Sequence, residues 1–97
     1  MINEIAMNTE IYVIGKELDS FNADEVQNGI IAILDRGNSV VLDMSACHYI
    51  SSTGLRVLLY TKKVADPKGL KVCLKGVGAE VQDVMNVTGF DSFFDYV

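Results

Sequence analysis

Basic residues, proline and long apolar runs are all scarce in this sequence. Its 8 lysines and arginines are outnumbered by 13 acidic residues and form no stripe, so the chain is not suited to binding a nucleic acid backbone. No segment approaches the run of about 20 apolar residues that crosses a bilayer, which predicts no membrane insertion. The 2 cysteines and 1 histidine are too few for a zinc site, and we expect no metal or other cofactor.

Apolar residues, by contrast, are plentiful. They make up 49% of the chain, and charged residues 22%, which is typical of a compact folded protein. A length of 97 residues matches one domain, which we predict to extend over residues 1–97. The first residues lack the basic start of a secretion signal, so a cytoplasmic location is expected.

The spacing of these apolar residues alternates between that of strands and that of helices. Short runs at 2–7 and 11–14 predict an N-terminal hairpin, and the further predicted strands are 39–44, 70–75 and 93–97. The predicted helices begin at about Asn22, Thr53 and Ala79, the first with Asn22 and Glu25 as a capping box. This order predicts one α/β domain with a mostly parallel or mixed sheet of four to five strands and three or more helices. The nearly continuous apolar run at 39–44 further predicts a strand covered on both faces.

Three consecutive hydroxyl residues precede the second predicted helix. Ser51, Ser52 and Thr53 are followed by Gly54, and one of the three must be the N-cap of this helix. Capping needs only one hydroxyl, and a glycine lets a partner or an anion approach the backbone. The segment is therefore either a simple cap or a site of phosphorylation, which the pattern alone does not decide.

Catalytic patterns are missing from the same region. The hydroxyls lack the G-x-S-x-G spacing of a hydrolase, and Cys47 and His48, as neighbours in an extended segment, are expected to point apart. The carboxylates of Glu17, Asp19 and Asp43 would suit Mg²⁺ if they converged, although hydrogen bonds within their own loops are the favoured interpretation. We predict a protein that is not an enzyme.

The chain resembles the STAS domain family, which includes the bacterial anti-sigma factor antagonists. The resemblance extends over nearly the whole chain and depends on Asp43, Ser45, Tyr49 and the stretch Ser51-Ser52-Thr53-Gly54-Leu55. Leu18-Asp19 before the first helix and Gly89-Phe90 near the end also fit the family pattern. Ser51 stands where the family normally has an aspartate.

The resemblance implies that Ser52, or alternatively Thr53, accepts a phosphate from a serine kinase that is also an anti-sigma factor. In such a system the unphosphorylated protein binds the kinase, which frees a sigma factor and so regulates transcription, and the phosphorylated protein lets go. Arg56, one turn into the helix, would pair with the phosphate or with a carboxylate of the partner. The residues expected in the contact surface are Asp19, Asp43, Ser51, Thr53, Gly54 and Arg56.

Two other hypotheses stay open at this point. One is a constitutive scaffold or subunit of membrane transport machinery with the same fold, which would bind its partner without phosphorylation. The other is a nucleotide hydrolase that uses Asp19 and Asp43. Weak self-association is compatible with each of these hypotheses.

Overall fold

The computed structural model describes residues 8–97, in which strands and helices alternate. The major elements are β1 (Thr9–Val13), α1 (Ala23–Asp35), β3 (Ser39–Asp43), α2 (Ser52–Ala65), β5 (Val72–Lys75), α3 (Ala79–Thr88) and β6 (Asp95–Tyr96). Two short strands, β2 (Glu17–Leu18) and β4 (Tyr49–Ile50), lie between them, and 3₁₀ turns occur at Asp66–Lys68 and Phe90–Phe93. The predicted α/β alternation is confirmed from β1 onward. The predicted strand 2–7, and with it the N-terminal hairpin, lies outside the described residues.

The main sheet is parallel throughout, in the order β1-β3-β5-β6. Each helix crosses over one step in the same direction, and right-handed crossovers of this kind place their helices on the same face of the sheet. Burial agrees, because Leu42 and Leu74 are fully buried whereas Ile11 and Val13 are 63% and 66% exposed. The expectation that the strand at 39–44 is covered on both faces is therefore wrong: Val41, on the other face, is only half-buried by the described residues.

Helix α1 buries the predicted apolar stripe against the sheet. Val26, Ile30, Ile33 and Leu34 are all at most 4% exposed. Gly29 lies within the helix, where a Cβ would overlap the ring of Tyr12, so the glycine makes room for the tyrosine. Close packing of α1 on β1 thus offsets the cost of about 1 kcal/mol that a mid-helix glycine carries relative to alanine.

The other two helices complete the core on the same side of the sheet. Helix α2 buries Leu55, Val57 and Leu58, and α3 buries Val81 and Met85. Helix α3 is closed by a glycine in the left-handed conformation, as its sequence predicts. Within residues 8–97, no helix is both long enough and apolar enough to cross a membrane.

The small second sheet was missed by sequence reasoning. Strands β2 and β4 pair in parallel, with Glu17 opposite Tyr49 and Leu18 opposite Ile50. Each contributes two residues, too few for an alternating pattern to be recognised. Their pairing fixes the chain segments that follow β2 and β4 side by side, and the candidate site is built on those segments.

Candidate functional site

Two loops meet beyond the small sheet, near the carboxyl ends of the parallel strands. We call residues 19–22 the Phe21 loop and residues 51–54 the hydroxyl turn. The backbone N–H of Ser51 donates to the carbonyl oxygen of Leu18 at 3.0 Å, which continues the β2–β4 pairing into both segments. Because one hydrogen bond ties the two loops at their starts, they form one continuous surface.

Ser51 is the N-cap of α2. Its Oγ accepts a hydrogen bond from the backbone N–H of Gly54 at 3.1 Å, and its backbone is extended, with φ −90° and ψ 173°, as an N-cap requires. The structure thus decides which of the three hydroxyls caps the helix. It also shows that a serine fills the capping role at position 51.

The hydroxyl of Ser52 is left available by this arrangement. Ser52 is the first residue of α2, its side chain is exposed, and within residues 8–97 no group hydrogen bonds to its hydroxyl. Thr53, the alternative acceptor, is half-buried. Of the two hydroxyls that the cap does not use, Ser52 is therefore the more accessible.

Gly54 faces the interior of the protein. A Cβ at this position would lie 2.5 Å from the carbonyl oxygen of Leu18 and 2.9 Å from the side chains of Leu18 and Ile50. A Cβ atom essentially never lies this close to another heavy atom, so only glycine lets α2 approach the β2–β4 pair this closely. Internal packing, rather than access for a partner, explains why position 54 lacks a side chain.

The Phe21 loop is held by side-chain hydrogen bonds to its own backbone. Asp19 Oδ1 accepts from the N–H of Phe21 at 2.9 Å, and Asn22 Oδ1 accepts from the N–H of Asp19 at 2.9 Å. Asn22 Nδ2 also donates to the carbonyl oxygen of Glu17 at 2.7 Å. The predicted capping box is wrong, because Asn22 precedes α1 with φ −116° and ψ 5°, not in an extended conformation, and directs its side chain to the loop instead of the helix.

Asp43 also hydrogen bonds within its own loop. Its Oδ1 accepts from the hydroxyl of Ser45 at 2.7 Å and from the N–H of Ser45 at 3.0 Å. The side-chain and backbone hydrogen bonds from Ser45, followed in size by the attraction of Lys75, hold the pKa of Asp43 below its usual value. In the described part of the chain, no group of three or more metal-ligating side chains converges, so Glu17, Asp19 and Asp43 do not form the cluster that Mg²⁺ would require.

Arg56 lies one helical turn beyond Ser52. Residues four apart share a face of a helix, so Arg56 lies on the same face as Ser52. Arg56 is exposed and forms no salt bridge with any residue from 8 to 97. Its guanidinium is therefore available to an anion at the start of α2.

Cys47 and His48 have separate partners. Cys47 is buried, its thiol donates to the carbonyl oxygen of Tyr49 at 3.3 Å, and burial raises the pKa of the thiol. His48 is exposed, and its Nδ1 lies 3.4 Å from a carboxylate oxygen of Glu80. The two side chains point apart, as the sequence predicts for neighbours in an extended segment.

Sequence reasoning did not single out Phe21. Its side chain is 97% exposed, more than any other large hydrophobic side chain among the described residues. The available signal was its position, because Phe21 is flanked by the polar residues Ser20 and Asn22 in a loop rather than placed in a periodic apolar stripe. An aromatic residue without a periodic partner has no predicted place in the core.

Comparison with known proteins agrees with the fold. Residues 3–96 match the model of the STAS domain family. A Bordetella bronchiseptica protein named "Putative anti-sigma factor antagonist BtrV" is 37% identical over 79 residues, which are 79% of this chain and 67% of that protein.

Two solved structures show the same architecture. A Thermotoga maritima protein, titled a "putative anti-sigma factor antagonist", has a TM-score of 0.84 at 24% identity, covering 92% of this chain and 78% of its own. A sulfate transporter family protein from Wolinella succinogenes has a TM-score of 0.80 at 22% identity, covering 94% and 80%. At these identities the structures show the fold alone, whereas the family match covers nearly the whole sequence. The chain therefore belongs to the STAS domain family, as its resemblance implied.

Proposed function

We propose that this protein is an anti-sigma factor antagonist whose binding to an anti-sigma factor with serine kinase activity is switched off by phosphorylation of Ser52. The observation that carries the proposal is that Ser51 and Ser52 have different roles in the hydroxyl turn. Ser51 Oγ caps α2 by accepting from the N–H of Gly54 at 3.1 Å, whereas the Ser52 hydroxyl is exposed and has no hydrogen bond within the described chain. The similarity to the Bordetella protein gives independent support. We place this activity in the bacterial cytoplasm, where sigma factors act.

The start of α2 suits a phosphate. A phosphoserine brings a charge of about −1.5 to −2, and the backbone N–H groups at a helix N-terminus favour negative charge. The first turn of α2 contains no acidic residue that would oppose this charge. Arg56 lies on the same face, four residues on, where it would pair with the phosphate.

The same phosphate would weaken binding to the kinase. A kinase that modifies Ser52 must bring the γ-phosphate of ATP next to this hydroxyl, so the product phosphate faces the remaining phosphates of the nucleotide. Like charges at close range repel each other, most strongly where water is excluded. Phosphorylation therefore lowers the affinity without any change of fold.

Mass spectrometry after incubation with ATP and the anti-sigma factor kinase of the same host tests the acceptor. We expect one phosphate on the wild type, none on Ser52→Ala, and one on the matched control Thr53→Ala. Affinity for the kinase should fall in Ser52→Asp and stay at the wild-type level in Ser52→Ala. A phosphate on Thr53, or no phosphate at all, would contradict the proposal.

A constitutive subunit of transport machinery is the second candidate, favoured by the structural similarity to the Wolinella protein. That similarity is one of fold, and constitutive binding would not require an exposed hydroxyl next to the N-cap Ser51. A pull-down that returned transport subunits in equal yield from wild type and Ser52→Asp would favour this candidate.

Nucleotide hydrolysis is less well supported by the geometry. Asp19 and Asp43 each accept hydrogen bonds from within their own turns, where their carboxylates stabilise loops. Turnover of a nucleotide in the presence of Mg²⁺, lost in both Asp19→Asn and Asp43→Asn, would revive the hypothesis.

A further inference from the structure

Phe21 is exposed to an unusual degree for an aromatic side chain. Its side chain is 97% exposed, although single hydrophobic residues on a surface are common and need no explanation alone. The next most exposed among the described residues, Val87 at 88%, lies on α3. What distinguishes Phe21 is its support and its location.

Side-chain hydrogen bonds hold the backbone of the Phe21 loop. The N–H of Phe21 is held by Asp19 Oδ1 at 2.9 Å, and Asn22 ties the loop to the carbonyl oxygen of Glu17 at 2.7 Å. An ordered backbone reduces the conformational entropy lost on binding, and phenylalanine has only two side-chain torsions to fix. Binding of a partner to the ring therefore costs less conformational entropy than it would on an unsupported loop.

The fold puts the Phe21 loop next to the hydroxyl turn. The hydrogen bond from Ser51 N–H to Leu18 O ties the Phe21 loop to the hydroxyl turn at 3.0 Å. A protein large enough to place its active site on Ser52 would also cover the adjacent loop, since standard interfaces bury about 800 Å² on each partner.

The surrounding charges specify the chemistry of the partner. Between residues 17 and 25 the acidic side chains are Glu17, Asp19, Asp24 and Glu25, and no basic residue occurs. Complementary potentials are the rule across interfaces, so the surface that receives Phe21 should be an apolar pocket with a rim of lysines or arginines.

We propose that Phe21 is the apolar anchor of the complex with the anti-sigma factor kinase, inserted into an apolar pocket with a basic rim. This inference rests on the proposed function and adds to it the residue that dominates the affinity. Anchors of this kind are aromatic, are presented on a rigid support, and are flanked by residues that contribute less individually. The acidic side chains steer the encounter, whereas the ring holds the complex together.

The test is a titration of the purified kinase of the same host with wild type, Phe21→Ala and the matched control Val87→Ala. We expect Phe21→Ala to weaken binding about 10- to 100-fold, mainly through faster dissociation, and Val87→Ala to change it less than about twofold. All three proteins should unfold at the same temperature, because neither side chain is packed in the core. Phe21→Leu should bind with intermediate affinity.

A salt series separates the anchor from the charges. The double variant Asp24→Asn, Glu25→Gln should reduce the salt dependence of association, whereas Phe21→Ala should leave that dependence unchanged. Wild-type affinity of Phe21→Ala, in an experiment where Ser52→Asp weakens binding, would overturn the anchor and leave the proposed function intact. No binding of the wild type to the kinase would overturn both.

Discussion

At the amino ends of the parallel strands several charged side chains pair with one another, whereas near the carboxyl ends the exposed groups of the candidate site do not. Before β3, Arg36 donates to both carboxylate oxygens of Glu10, at 3.0 and 2.6 Å, and Asn38 donates to the same carboxylate at 2.6 Å. Just before β5, Nζ of Lys71 lies 3.6 Å from Oδ2 of Asp95 in β6. These charged groups have partners within the domain itself.

Near the carboxyl ends, the one polar contact between side chains of different elements of the described chain joins His48 Nδ1 to a carboxylate oxygen of Glu80, at 3.4 Å. The Ser52 hydroxyl, the Arg56 guanidinium and the Phe21 ring have no side-chain partner in the same residues. The pairs at the amino ends are thus made within the domain, whereas the exposed groups of the candidate site are available to the partner proposed above.

The largest expected effect comes from Gly54, which lets α2 pack closely on the strands that carry the candidate site. Gly54→Ala places a Cβ 2.5 Å from the Leu18 carbonyl oxygen, so α2 must move away from β2. We expect the free energy of unfolding to fall by about 1–3 kcal/mol, measured by urea denaturation. Gly15→Ala is the control, since its Cβ would meet nothing within 4 Å. Equal stability of the two variants would show that the loops are not fixed by this packing.

The different roles of Ser51 and Ser52 should give a smaller difference in the free energy of unfolding. Ser51→Ala removes the cap of α2 and should lower the free energy of unfolding by about 1 kcal/mol. Ser52→Ala removes only an exposed hydroxyl and should change it by less than about 0.5 kcal/mol. Thermal denaturation of both variants checks this ratio, and the reverse order would make Ser52 the cap.

Phosphorylation should reduce the contrast between the ends by giving Arg56 a partner. We expect phosphorylated Ser52 to raise the free energy of unfolding by about 0.3–1 kcal/mol, through the helix N-terminus and Arg56 together. The gain should shrink in Arg56→Ala and persist in Lys63→Ala, which alters the last turn of the same helix. A phosphorylated protein less stable than the unmodified one would mean that the start of α2 does not tolerate the charge.

The smallest expected effect is a dependence of stability on pH at Asp43. Its pKa is lowered in the folded protein by hydrogen bonds from Ser45, so its contribution is present above the unfolded pKa and is lost as pH falls through the folded pKa. Asp43→Asn should therefore be less stable than the wild type at about pH 6 and similar to it at about pH 2. Denaturation midpoints at both values check the sign, and a constant difference would point to lost packing instead.

The sequence predicted the long elements because their periodic patterns are read over many residues. Helix α1 buries Val26, Ile30 and Ile33 as its spacing indicates. The β2–β4 pair has no such pattern, and the face of the sheet on which the helices lie depends on the direction of three crossovers, a property of topology rather than of any one strand.

The site was predictable in outline but not in its assignments. Ser51, Ser52 and Thr53 can each cap a helix, and only the backbone angles at Ser51 determine which one does. Asn22 and Glu25 match a capping box in type and spacing, yet the angles at Asn22 prevent it. The roles of Gly54 and Phe21 depend on contacts or exposure in three dimensions, which residue type alone does not encode.

The cap at Ser51 has a consequence for the speed of the proposed phosphorylation switch at Ser52. Because the helix is closed by the residue before the acceptor, adding or removing a phosphate at Ser52 breaks no hydrogen bond that the fold needs. The modified and unmodified proteins can therefore interconvert without a refolding step. The response time of the proposed switch would then be set by the addition and removal of the phosphate rather than by folding.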